Sequence, residues 1–70
     1  MMQLSARNVL SGKVIEITPG AVNVEVIIEI APGVEIVSII TKQACEKLQL
    51  KEGMPTYAAI KASNVMIAVP

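Results

Sequence analysis

The sequence predicts an all-β chain with one short helix, its five strands closing into a small barrel. Three observations carry this expectation. Apolar and polar residues alternate from Ala21 to Ile30, a period of two that marks a half-buried strand. The pairs Pro19-Gly20 and Pro32-Gly33 punctuate the β-forming runs on either side. Only Thr41 to Leu48 carries apolar residues at helical spacing.

The first strand is expected over Val9 to Thr18, a run rich in β-formers that ends at Thr18-Pro19-Gly20. In the second, Val22, Val24, Val26, Ile28 and Ile30 share one face, with Ala21, Asn23, Glu25, Ile27 and Glu29 on the other. Ala31-Pro32-Gly33 closes it and opens a third strand, Val34 to Ile40, as a hairpin partner. Thr41 is suited to cap a helix whose apolar stripe is Ala44, Cys45 and Leu48. Gly53 follows as a stop, and Pro55 restarts the chain in extended form. Two more strands are expected, Thr56 to Ala62 and Val65 to Val69. Five short strands and one small helix in a single domain, residues 1–70, are what a small OB-like barrel requires. An open sheet would leave two apolar edges, so closure or exchange of strands between subunits is expected.

Composition narrows the function. The chain is 70 residues long and 53% hydrophobic, almost wholly aliphatic. So small a domain cannot hide that much apolar surface in one copy, which predicts an obligate oligomer. No run approaches the ~20 apolar residues that cross a bilayer, and Met-Met-Gln-Leu-Ser does not begin a secretory signal. One cysteine, Cys45, excludes an internal disulfide and fits a reducing compartment, so a cytoplasmic location without membrane partners is expected. The chain has no His, removing the usual acid–base residue and the commonest transition-metal ligand. It also has no Phe or Trp and a single Tyr, so it lacks a stacking platform for bases. Six basic residues balanced by six acidic ones give no footprint for a polyanion. Enzyme and nucleic-acid binder are therefore disfavoured.

What stands out is a pair of donor-rich segments, Ser5-Ala6-Arg7-Asn8 and Ile60-Lys61-Ala62-Ser63-Asn64-Val65-Met66. Each supplies a fixed positive charge, a hydroxyl and an amide, and neither contains a carboxylate. Either alone reads as a solvated strand end or turn; together they point to a site for an anion. The planar fork of Arg7 holds two oxygens of one oxyanion and cannot lose its charge. Ser5 lies two residues away, hence on the same side of an extended segment. Lys61 and Ser63 repeat that spacing. Thr41 offers a hydroxyl at a helix start, where anions are favoured, and serves equally as a plain cap. Cys45 reads as a small apolar residue.

With Leu10-Ser11-Gly12-Lys13-Val14, Gly20-Ala21-Val22-Asn23-Val24-Glu25-Val26, Ile40-Thr41-Lys42 and Leu50-Lys51-Glu52-Gly53, these segments give nearly the whole chain a family likeness. It resembles the molbindins, small cytoplasmic proteins built from one Mop-type (TOBE) domain that bind molybdate. The resemblance implies an OB-like barrel, a homohexamer that is a trimer of intertwined dimers, and oxyanion sites between subunits. It assigns the site to Ser5, Ala6 and Arg7, to Lys61 and Ser63, and to Thr41 of a partner subunit. Where many relatives open the helix Thr-x-x-Ser, this chain has Ala44 and so one hydroxyl fewer. It also implies a second class of site, expected around Gly20, Ala21, Val22, Asn23, Ala62 and Asn64.

The chemistry agrees with that likeness. Molybdate is a tetrahedral dianion without a proton, so its ideal receptor offers donors only. Phosphate, partly protonated near neutral pH, benefits from an acceptor, and the smaller sulfate is rejected by size. Tungstate matches molybdate in charge and dimensions and is the second candidate ligand. The expectation is a non-enzymatic protein that stores molybdate as an oxyanion and uses no metal-cation site. The alternative is an oligomerising TOBE-type interaction or regulatory module without a storage role.

Overall fold

In the computed structural model, which describes residues 7–70, four strands and one helix follow the chain. They are β1 (Asn8–Pro19), β2 (Asn23–Ala31), β3 (Val34–Thr41), α1 (Lys42–Lys47) and β4 (Pro55–Ile60), followed by a 3₁₀ turn at Ala62–Asn64. The strands form one antiparallel sheet in the order β3-β2-β1-β4.

β1 organises the sheet by serving two partners in succession. Its first half pairs with β4, from Asn8↔Ile60 to Lys13↔Pro55, and its second half with β2, from Lys13↔Glu29 to Pro19↔Val24. The changeover is marked by a register shift between Val14 and Glu16, a bulge that bends the strand. Val14, fully buried, sits at this pivot: its N–H donates to the Met54 carbonyl at 3.0 Å, and its carbonyl accepts from the Gly53 N–H at 2.6 Å. Gly12 lets β2 come close, since a Cβ there would lie 2.6 Å from the Glu29 carbonyl oxygen. The β2–β3 hairpin turns at Pro32-Gly33, where Gly33 has φ +76°, the left-handed geometry a type II turn demands after proline.

The core consists of Val14, Val24, Val26, Ile28 and Ala58, with Ile17, Ile30, Ile36, Ile40, Cys45, Leu50 and Met54 packed around it. Val24, Val26 and Ile28 are the centre of the alternation read in the sequence. At roughly 1.5–3 kcal/mol for each large aliphatic side chain fully buried, this is a small core. Among the described residues, twelve large hydrophobic side chains stay exposed on the single chain.

Helix α1 is capped as expected. The Thr41 hydroxyl accepts from the Ala44 N–H at 3.0 Å. The helix ends well before Gly53, in a Schellman arrangement: Leu50 N–H donates to the Cys45 carbonyl and Gln49 N–H to that of Glu46, with Gln49 at φ 54°. Cys45 faces the core, but Leu48 is the C-cap and 62% exposed, so the inward stripe is Cys45 and Leu50 instead.

Of the five expected strands, four form among the described residues. Val65 to Val69 forms no strand: the 3₁₀ turn breaks the chain after β4, and Met66 and Ile67 beyond it are 93% and 90% exposed. A strand needs a neighbour for its N–H and C=O groups, and this segment has no strand partner among the described residues. The edges β3 and β4 flank an open gap of about 210 Å³, lined by Ile36, Val37, Ser38, Tyr57, Ala59 and Ile60 among others.

Candidate oxyanion-binding site

The β1–β4 ladder brings the two expected cations together. Its last pair is Asn8↔Ile60, and Arg7 and Lys61 are the residues that adjoin this pair, just outside the two strand ends. Residues 54 positions apart in sequence thus adjoin two neighbouring strand ends. Strand alternation turns Arg7 to the face of Val9 and Ser11, opposite the core face of Gly12 and Val14. Both cations are exposed to solvent. Asn8, half-buried, donates from its side-chain Nδ2 to the Ile60 carbonyl at 3.3 Å, tying the two strand ends together beside the cations.

The charge around them is one-sided. The ladder residues 7–13 and 55–61 contain Arg7, Lys13 and Lys61, three of the six basic residues, and no carboxylate. The first carboxylate along β1 is Glu16, beyond the residues that pair with β4. After Lys61 the chain enters the 3₁₀ turn, where Asn64 N–H donates to the Lys61 carbonyl at 2.8 Å and Val65 N–H to the Ala62 carbonyl. The first N–H groups of such a turn, those of Ala62 and Ser63, have no partner inside it and point outward as further donors. Ser63 itself is exposed. Ser5 and Ala6 lie outside the described residues.

Thr41 is elsewhere. It pairs with Asn23 at the start of β2, which in turn lies beside Pro19 at the far end of β1. The turn from Gly20 to Asn23 is closed by Gly20 N–H donating to the Asn23 carbonyl at 2.7 Å, and Lys42 N–H reaches the Val22 carbonyl at 3.1 Å. Gly20, Ala21, Val22, Asn23, Thr41 and Ala44 therefore cluster at one end of β1, while Arg7, Lys61, Ala62, Ser63 and Asn64 gather at the other. Eleven residue steps separate these ends along a strand bent by its bulge, in a molecule whose longest extent is 34 Å. One chain does not bring both sets to one small anion.

Asn8 is the residue whose part the sequence conceals. It is visible there as one more polar group beside Arg7; its bond to Ile60 depends on a register that no local pattern reveals.

The fold and these positions meet known proteins at one point. The TOBE domain family matches residues 4–67. This chain belongs to that family. Among relatives of this TOBE domain, molybdenum-pterin-binding protein 1 of Clostridium pasteurianum is 47% identical over 66 residues, covering 94% of this chain and 97% of that protein. The structure of MopII from Clostridium pasteurianum superposes with a TM-score of 0.88 at 45% identity, covering 96% of this chain and all of that one. The cytoplasmic molybdate-binding protein ModG, solved with molybdate bound, gives a TM-score of 0.91 at 51% identity. There the TOBE domain is covered over 99% of its length but spans only 49% of the ModG chain. The likeness is that of a molbindin-type single TOBE domain.

Proposed function

We propose that this TOBE domain binds molybdate, with tungstate as the alternative oxyanion, and stores it in the cytoplasm without catalysing a reaction. The observation that supports this reading is that Arg7 and Lys61 directly follow the last pair, Asn8↔Ile60, of a ladder that carries no carboxylate. A guanidinium fork, an ammonium, the hydroxyl of Ser63 and the leading N–H groups of the 3₁₀ turn form a donor set suited to a proton-free tetrahedral dianion. By its place in sequence Ser5 adds a hydroxyl beside Arg7, and the intervening Ala6 adds its backbone N–H. The molybdate named for ModG and the molybdenum named for the Clostridium relative support the choice of anion.

The site is completed by a second copy. Thr41, held by its cap at the far end of β1, reaches the anion of another subunit, with Ala44 facing it in place of a hydroxyl. The turn at Gly20 to Asn23 approaches Ala62 and Asn64 of other copies in the same way, as the second class of site. The apolar surface supports the assembly: among the described residues, twelve large hydrophobic side chains are exposed beside a buried core of Val14, Val24, Val26, Ile28 and Ala58. An exposed C-terminal segment and two open strand edges support exchange of a fifth strand between copies, closing the barrel. We read the assembly as a homohexamer, a trimer of dimers.

Calorimetric titration with molybdate tests the site. Arg7→Ala and Lys61→Ala each remove a charge-assisted hydrogen bond, about 1.5–3 kcal/mol, so each should weaken binding roughly tenfold to hundredfold. Circular dichroism should show an unchanged fold, and light scattering an oligomer mass. Unchanged affinity in both variants would move the site elsewhere.

A further inference from the structure

We propose that Asn8 is a positioning residue of the oxyanion site, setting the spacing of Arg7 and Lys61 through the Ile60 carbonyl. The inference rests on the reading of those two cations as anion ligands. Asn8 and Ile60 are the last pair of the β1–β4 ladder, and the two chains part immediately beyond it, one into Arg7 and the other into the 3₁₀ turn. Two like charges on adjacent strand ends repel each other while no anion lies between them, and a ladder end is where strands fray. The Asn8 amide opposes both by bonding the Ile60 carbonyl at 3.3 Å, across 52 residues of sequence and directly before Lys61.

The residue type argues the same way. Asn is depleted in strands, where a β-branched residue packs better, so an Asn in this ladder needs a local reason. It is half-buried and uncharged, and it donates toward the neighbouring strand instead of facing the solvent. By occupying the Ile60 carbonyl, the amide also takes up an acceptor that would repel a dianion. An Asp of the same shape would do the reverse: it cannot donate to the carbonyl, and it sets a negative charge beside Arg7.

The test is molybdate titration of the intact assembly, with mass followed by light scattering. Asn8→Ala should weaken binding about tenfold, and Asn8→Asp more than Asn8→Ala, at unchanged mass. Asn8→Gln, which keeps an amide donor, should regain part of that loss. The decisive comparison is a double-mutant cycle: if Asn8 acts by placing Lys61, then Asn8→Ala introduced into Lys61→Ala should cost little further affinity. Full additivity in that cycle, or parent affinity in Asn8→Ala while Lys61→Ala is weakened, overturns the Asn8 inference alone. Parent affinity in Lys61→Ala overturns it together with the site reading beneath it. Should Asn8→Ala fail to assemble, the isosteric Asn8→Asp carries the comparison, and parent affinity there is equally fatal.

Discussion

Thr41 caps helix α1, and the proposed function gives the same side chain a ligand to meet. Its oxygen accepts from the Ala44 N–H at 3.0 Å, which commits a lone pair to the helix start and leaves the hydroxyl proton free to donate elsewhere. Removing the side chain therefore confuses two effects, since loss of an N-cap alone costs about 0.5–2 kcal/mol. Asp separates them, because it caps as well as Thr but presents a negative charge and no donor. Thr41→Asp should keep the thermal midpoint of the parent in the absence of ligand and lose most molybdate affinity by calorimetry. Retained affinity would confine Thr41 to capping. The capping half of this role was legible in the sequence, from a hydroxyl residue placed just before the helical spacing of Ala44 and Cys45. The clamp from Asn8 to Ile60 was not, because it joins residues that only the ladder register makes neighbours.

Among the elements, the short-range signals held and the long-range ones stayed hidden. Alternation located β2, and Pro-Gly pairs located both of its boundaries, because these patterns depend on the pleat and on φ at single residues. Val65 to Val69 has the composition of a strand, yet a strand exists only where a partner supplies hydrogen bonds, and composition does not reveal the partner. The helix ends at Leu48, where the helical spacing ends, but what turns the chain there is Gln49 in the left-handed geometry usually left to glycine, not Gly53. Gly12 is the inverse case, a glycine inside a strand whose need is set by a neighbour. Its missing Cβ leaves room for the Glu29 carbonyl and for the Ile28 Cγ2, each within 3 Å of where the atom would stand. The obstruction includes backbone, so it cannot swing aside as a side chain tip would. Gly12→Ala should destabilise the protein by about 1–3 kcal/mol, read as a lower midpoint in denaturant unfolding. An unchanged midpoint would mean that β1 and β2 separate freely at this crossing.

For the molecule as a whole, zero net charge conceals a strong division. Arg7 and Lys61 stand at the open end of the β1–β4 ladder, whereas Glu16, Glu25, Glu29 and Glu35 belong to the β1–β2–β3 part of the sheet, with Lys13 paired to Glu29 at the changeover between them. The donors are divided as well, with Arg7 and Lys61 at one end of β1 and Thr41 at the other. If each site draws on two copies, two deficient chains should repair one another. Chains bearing Arg7→Ala still offer Thr41, and chains bearing Thr41→Asp still offer Arg7. Co-expressed in equal amounts and assembled at random, they should form parent-affinity sites at about a quarter of all positions, although neither variant alone forms any. The measurement is calorimetric, with the stoichiometry of the tight phase as the readout. Mixing the two variants after each has assembled separately is the control, and it should yield no tight phase while the subunits do not exchange. If the co-expressed mixture also lacks a tight phase, the two residues do not meet at one anion, and the division along β1 belongs to architecture alone.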